Sequence, residues 1–216
     1  MSNSFVKKSP LRLPKNSDAL PVQLELSEDA SAWIIYVEDR FWRHAHPTLF
    51  GRQWQPPRAT TALEWQEEFH QLEVDKAYIY ILKRLVSRAM TEQQATQLLE
   101  DLLVSRPAQS EALQRLRSDR YINDMDYAEQ LASNEQRRGY GPQRIKQKLY
   151  RKGISSDLIQ QNLSDEEQER QAIQSLLNTR YARRDLSQQK ERQKVIASLV
   201  RRGFTLSLIL ELIRRE

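Results

Sequence analysis

Seven cations crowd one short run: Arg137, Arg138, Arg144, Lys146, Lys148, Arg151 and Lys152, with no acidic residue among them. Arg144, Lys148 and Arg151 are spaced i, i+4 and i+7, so a helix opening near Pro142 places them on one face. Fifty residues later the pattern returns. Lys194, Arg201 and Arg202 stand where Arg144, Arg151 and Lys152 stood, and Lys190 and Arg192 extend the strip. Lysine and arginine on a line can neutralise successive phosphates and release counterions, which is the sequence-independent term in nucleic-acid binding. The same strip could meet an acidic protein, and a solvated basic face also suits a helix C-terminus. The matched positions in two segments favour a binding surface made of Arg137, Arg138, Arg144, Lys148, Arg151, Lys152, Lys190, Lys194, Arg201 and Arg202.

Other reactive types are sparse. His44-x-His46 is a conceivable metal pair, but there is no cysteine and the only further histidine is His70, too few ligands for a closed zinc site. Trp33, Trp42, Trp54 and Trp65 could stack on bases, although such residues more often form a small core. Asp165, Glu166, Glu167 and Glu169 crowd a helix start, where capping and solubility explain them. There is no phosphate-cradling glycine loop, nucleophile elbow or Ser/His/Asp set. The expectation is a protein without catalytic residues, metal or cofactor.

The elements that must carry the strip are helical. With five glycines in 216 residues and long Glu/Gln/Arg/Leu-rich stretches, helices are favoured over a sheet with many turns. The apolar frame of the echo recurs with the cations. Leu149, Gly153, Ile154, Leu158 and Ile159 return as Leu199, Gly203, Phe204, Leu208 and Ile209, so one helical unit is used twice. Each unit reads as helix, helix, short helix. In residues 119–163, Asp124 is the expected N-cap of a helix to about Arg138, Pro142 opens the next, Gly153 ends it, and Ser155 or Ser156 caps the third. In residues 164–216 a longer first helix runs from about Asp165 to Arg183, Gly203 caps the second, and the last begins at Thr205. A weaker copy without the glycine occupies 75–117, inside a segment 61–118 that also holds a lead helix.

That segment opens on a capping box, Thr61 with Glu64, and Thr91 with Gln94 repeats the signature. Trp65, Phe69, Leu72, Ile79, Leu82 and Val86 form the apolar stripe of the first helix, Ala95, Leu98, Leu99, Leu102 and Leu103 that of the second. Residues 22–60 have another texture. Val22–Leu26 alternates and Trp33–Val37 is β-branched and aromatic, which predicts two short strands in a hairpin. Residues 1–21, with prolines at 10, 14 and 21, are expected to be a flexible tail. The fold class is therefore all-α, three tandem three-helix repeats behind a small N-terminal extension.

Net charge is +5, which permits nucleic acid, an anionic membrane surface or an acidic protein as partner without choosing among them. No apolar run approaches the roughly 20 residues of a membrane span, and the N-terminus lacks a secretion signal's apolar core. A cytoplasmic monomer with no membrane partner is expected.

Asn123-Asp124-Met125-Asp126-Tyr127-Ala128, followed by Gly141-Pro142-Gln143-Arg144-Ile145-x3-Leu149-x2-Lys152-Gly153-Ile154, resembles the central repeat of the RecX family of recombinase regulators. Arg201-Arg202-Gly203-Phe204-Thr205-x3-Ile209 resembles that family's third repeat, and Asp75-Lys76-Ala77 through Arg88-Ala89-Met90-Thr91 resembles the start of its first. The likeness covers roughly residues 75–215. Two departures stand out: Asn123 takes the place of a common acidic residue, and Ser105-Arg106-Pro107 replaces the Lys-Gly turn in the first copy. The resemblance implies an elongated, curved array that binds the RecA filament on single-stranded DNA. It further implies inhibition of recombinase, ATPase and coprotease activity in DNA recombination and the SOS response, with no chemistry of its own. A stand-alone nucleic-acid-binding protein is the alternative, and an adaptor for an acidic protein a third reading.

Overall fold

Alternation at Val22–Leu26 and the β-branched run after it do form strands: β1 (Val22–Leu26) and β2 (Trp33–Val37) pair antiparallel, Val22 opposite Val37 and Leu26 opposite Trp33. The expected hairpin is a three-stranded sheet, because β3 (Arg40–Ala45) pairs with the far edge of β2. Glu38 and Asp39 join β2 to β3 with φ of 51° and 61°. Both are left-handed, the conformation of the tight hairpin turn whose twist matches the strands.

The computed structural model describes residues 19–214; residues 1–18 of the expected tail lie outside the described residues. It is mostly helical, with that one small sheet. The chain divides into two compact units, residues up to Ala89 with Ala95–Ile122, and Met90–Gln94 with Asn123 onward.

In the first unit a short helix α1 (Pro47–Phe50) follows the sheet, then α2 (Ala62–Ser87), α3 (Glu92–Asp101, whose first turn belongs to the second unit) and α4 (Arg106–Ser118). The Thr61–Glu64 capping box forms reciprocally. The tryptophans are core: Trp33 and Trp65 are buried, and Trp42 meets the edges of Trp65 and Phe69, each at 4.9 Å between ring centroids. Burying each such ring contributes about 2–3 kcal/mol. The stripe on α2 differs from the one expected. Ile79 and Val86 are exposed, Val86 at 85%, while Val74, Ala77, Tyr78 and Ile81 turn inward. Leu103, expected on the apolar stripe of α3, sits beyond its end with φ 59° and is exposed. It occupies the left-handed position that Gly153 and Gly203 hold after the corresponding helices.

A buried carboxylate ties this unit together. Glu73, 1% exposed, accepts from Arg43 Nη1 (2.9 Å) and Nη2 (2.7 Å), and from the Ser105 hydroxyl (2.6 Å) and amide (3.2 Å). Arg43 also donates to the Leu103 carbonyl at 2.8 Å. This ion pair, whose carboxylate accepts four hydrogen bonds, therefore fastens β3 to α2 and to the start of α4.

The second unit holds two three-helix repeats: α5 (Asp124–Arg137), α6 (Pro142–Arg151) and α7 (Ser156–Gln161), then α8 (Glu166–Thr179), α9 (Gln189–Arg201) and α10 (Leu206–Arg214). Ile145, Leu149, Ile154 and Ile159 form one core with Ala128 and Ala132; Val195, Leu199, Phe204 and Ile209 form the other with Ile173 and Leu177. Three expectations are corrected here. Asn123, not Asp124, caps α5, accepting from the amides of Met125 and Asp126, while the Asp124 carboxylate accepts from the Glu92 amide. Helix α8 stops at Thr179, with Tyr181 folded back by its amide bond to the Leu176 carbonyl. Glu169, grouped with the solubilising acids, is buried and accepts from the Thr205 amide (2.6 Å) and hydroxyl (3.1 Å). It holds the start of α10 as Glu73 holds the start of α4.

Candidate partner and nucleic-acid interface

Glycine eases the turn after α6 and after α9, since Gly153 and Gly203 have φ of 79° and 89°, a region that costs other residues, such as Leu103 in the equivalent turn, about 1–2 kcal/mol. Each turn also packs tightly. The Thr91 hydroxyl donates to the Lys152 carbonyl at 2.6 Å, and a methyl group on Gly153 would collide with Gln93. One repeat later, Gly141 donates to the Arg202 carbonyl at 2.9 Å and the Gln143 amide to the Gly203 carbonyl at 3.0 Å. A methyl group on Gly141 would lie 2.5 Å from the Gly203 oxygen. The basic-Gly turn of each repeat in this unit thus docks against the start of the second helix of the preceding repeat. The echo in the sequence has a packing cause as well as an electrostatic one.

That frame divides the cations into two groups. Four are held by the protein. Lys148 and Arg138 share Oε1 of the buried Glu135, at 2.9 and 3.2 Å. Arg202 donates Nη1 to the carbonyls of Gly139 (2.9 Å) and Arg138 (3.3 Å), so its charge neutralises the C-terminal end of α5. Lys194 pairs with Glu191 at 2.6 Å, which also accepts from Arg184 at 2.7 Å. Lys194 first, then Arg184, hold the Glu191 carboxyl below its ordinary value.

The other group has no such ion pair or carbonyl acceptor among the described residues. Arg151, Lys190 and Arg201 are exposed and Lys152 half-buried, none with a side-chain partner among the described residues. Exposed Arg144 stacks 3.9 Å from the Tyr140 ring centroid, the ring that Arg202 and Arg138 also approach, at 5.5 and 5.8 Å. Arg137 bonds only the neighbouring Asn134 side chain. The sequence reading passed over Tyr140, whose signal was an aromatic residue set among arginines next to a glycine turn. The histidines do separate jobs: His46 accepts from the Thr48 amide at the start of α1, His44 packs on Phe41, and His70 meets Glu111 at 3.0 Å. Among the described residues no helix is long and apolar enough to cross a membrane.

Three-helix units in tandem, docked turn to helix around a sealed core, define a helical-repeat protein. Residues 123–163 match the family model of the second three-helix domain of RecX, and residues 166–213 that of the third. Regulatory protein RecX of Deinococcus radiodurans is 33% identical over 175 residues, covering 80% of each chain. The Bacillus cytotoxicus protein of the same name is 29% identical over 143 residues, and this chain spans about half of its length (52%). A crystal structure of regulatory protein RecX superposes with a TM-score of 0.58 at 21% identity, over 92% of this chain and all of the other. RecX from Lactobacillus salivarius gives 0.55 at 25% identity, over 66% and 96%. The chain belongs to the RecX family, whose members are named as regulatory proteins.

Proposed function

We propose that this protein is a non-enzymatic regulator of the RecA recombinase in the bacterial cytoplasm. It binds the RecA–single-stranded-DNA filament and lowers the recombinase, ATPase and coprotease output of that filament. The observation that carries this reading is the pair Arg151 and Arg201, equivalent in two successive repeats and in both without a side-chain partner among the described residues. An unpaired guanidinium repeated at the pitch of the repeat suits a partner that is itself periodic and anionic, such as a filament with a phosphate backbone.

Family membership supplies the regulatory role, and physics supplies a means. Several modest contacts on adjoining repeats act together through effective concentration, so affinity for a polymer exceeds affinity for one protomer. A ligand that prefers one filament state shifts the population toward it by its differential affinity. Arg144, Arg151, Lys152, Lys190 and Arg201 make the contacts. Arg138, Lys148, Lys194 and Arg202 lie on the same surface but are already engaged by the protein's own carboxylates and carbonyls.

Cosedimentation with preassembled RecA–single-stranded-DNA filaments tests the proposal. The native chain pellets with the filament, and the Arg151→Glu/Arg201→Glu double variant, with unchanged helicity, stays in the supernatant. Equal recovery of the two proteins in the pellet would overturn the site. Failure of the native chain to pellet would overturn the function.

A further inference from the structure

Between α6 and α7 lies an open groove of about 520 Å³, within the roughly 300–1,000 Å³ span of small-ligand sites. Tyr150 forms one wall and is 73% exposed. Lys146 and Arg151 stand beside it, and the amides of Gln143, Gln147 and Gln160 line the rest. None of these side chains has a partner among the described residues. The one carboxylate on the two helices, Asp157, is not part of the lining. An exposed ring, two cations and three unengaged amides are the groups that take a base by its face, a phosphate by its charge and a base edge by hydrogen bonds.

The third repeat provides an internal control. The packing residues persist at the fifty-residue offset: Ile145 as Val195, Leu149 as Leu199 and Ile159 as Ile209. Of the polar lining, Gln143 and Arg151 persist as Gln193 and Arg201, but Lys146 becomes Ile196, Gln147 becomes Ala197, Tyr150 becomes Val200 and Gln160 becomes Leu210. The fold of a repeat therefore does not require Lys146, Gln147, Tyr150 or Gln160.

We propose that the α6–α7 groove binds one nucleotide of a single-stranded nucleic acid, with the base stacked on Tyr150 and the phosphate between Lys146 and Arg151. This deepens the proposed function and rests on its single-stranded-DNA contact, adding a term that depends on bases to one that depends on charge.

The test compares an oligothymidylate of about 15 nucleotides with an abasic strand of equal phosphate number, both fluorescein-labelled, titrated with the full chain and read by anisotropy. The native chain binds the thymidylate at least about fivefold more tightly, the low end of one base–aromatic stack. Tyr150→Ala brings the two strands to equal affinity without weakening the abasic one, and Tyr150→Phe keeps the preference. Equal affinities in the native chain, a preference that survives Tyr150→Ala, or no binding to either strand would overturn the proposal. A base preference that depends on Tyr150, in a chain that fails to pellet with filaments, would keep the groove and remove the RecA reading. Pelleting without a base preference would do the reverse.

Discussion

Removing the Glu73 carboxylate should be as damaging as truncating one of the buried aromatic rings of the first unit. Glu73 accepts four hydrogen bonds, two from the Arg43 guanidinium and two from Ser105. Glu73→Ala leaves Arg43 with the Leu103 and His44 carbonyls as its acceptors, and the Ser105 amide at the start of α4 with none among the described residues. Charged hydrogen bonds contribute roughly 1.5–3 kcal/mol each, but not additively. Breaking a buried pair by deleting one partner costs about 3–5 kcal/mol. At a urea slope of about 2 kcal/mol per molar, that lowers the unfolding midpoint by roughly 2 M. All four tryptophans lie at or before residue 65, so indole fluorescence reads this unit alone. The Arg43→Met/Glu73→Leu double variant removes both charges and keeps volume, so it recovers the part of the loss that comes from the stranded guanidinium, while the Ser105 amide stays without its acceptor. A cost below about 1 kcal/mol for Glu73→Ala, or a double variant as unstable as the sum of its singles, would refute the reasoning.

Gly141→Ala should destabilise the second unit by about 1–3 kcal/mol although its φ of −84° suits alanine, because the added methyl meets the Gly203 carbonyl; chemical denaturation followed by circular dichroism checks it. Glu191→Gln releases Lys194 and Arg184, so affinity for single-stranded DNA should rise, with a log–log salt dependence steeper by about 0.7 for every additional phosphate neutralised. Unchanged or weaker binding contradicts that. The Asp29 carboxyl is lowered to about 2, chiefly by the Ser27 hydroxyl and then by the Ser31 amide and hydroxyl. A depressed folded value means the turn between β1 and β2 is stabilised above the unfolded value and loses that contribution as pH falls through about 2. NMR shifts of Ser27 and Ser31 should titrate in that window in the native chain and stay flat in Asp29→Asn.

Much of the frame was legible because it depends on local rules. Thr61 with Glu64, Ser155 and the two C-terminal glycines announce helix ends by chemistry confined to a few residues, and β1 and β2 follow from alternation and β-branching. Strand β3 was hidden, since Arg40, Arg43 and His44 break the alternation and its turn uses Glu38-Asp39 in place of the usual Asn-Gly. Leu103 concealed the third left-handed turn for the same reason: a tertiary setting overrides an unfavourable residue. The candidate site was legible as charge but not as engagement. Spacing placed Arg144, Arg151, Arg201 and Arg202 on the strip, yet only the folded chain separates unpaired Arg151 and Arg201 from Arg202, whose guanidinium is spent on carbonyls of another repeat. The role of Glu169 was equally invisible, because its partner Thr205 lies 36 residues further on; Glu135 sits near its partners Arg138 and Lys148, but its burial depends on how α5 and α6 pack.

The most direct measurement is the single-stranded-DNA-dependent ATPase of the host RecA, titrated with this protein at near-physiological salt and with excess DNA as a control. Inhibition is expected at well under one regulator per RecA protomer, undiminished by the excess DNA and lost with Arg151→Glu/Arg201→Glu. Absence of inhibition, or inhibition that excess DNA abolishes, would contradict the proposed function and leave a protein that binds nucleic acid without regulating the filament.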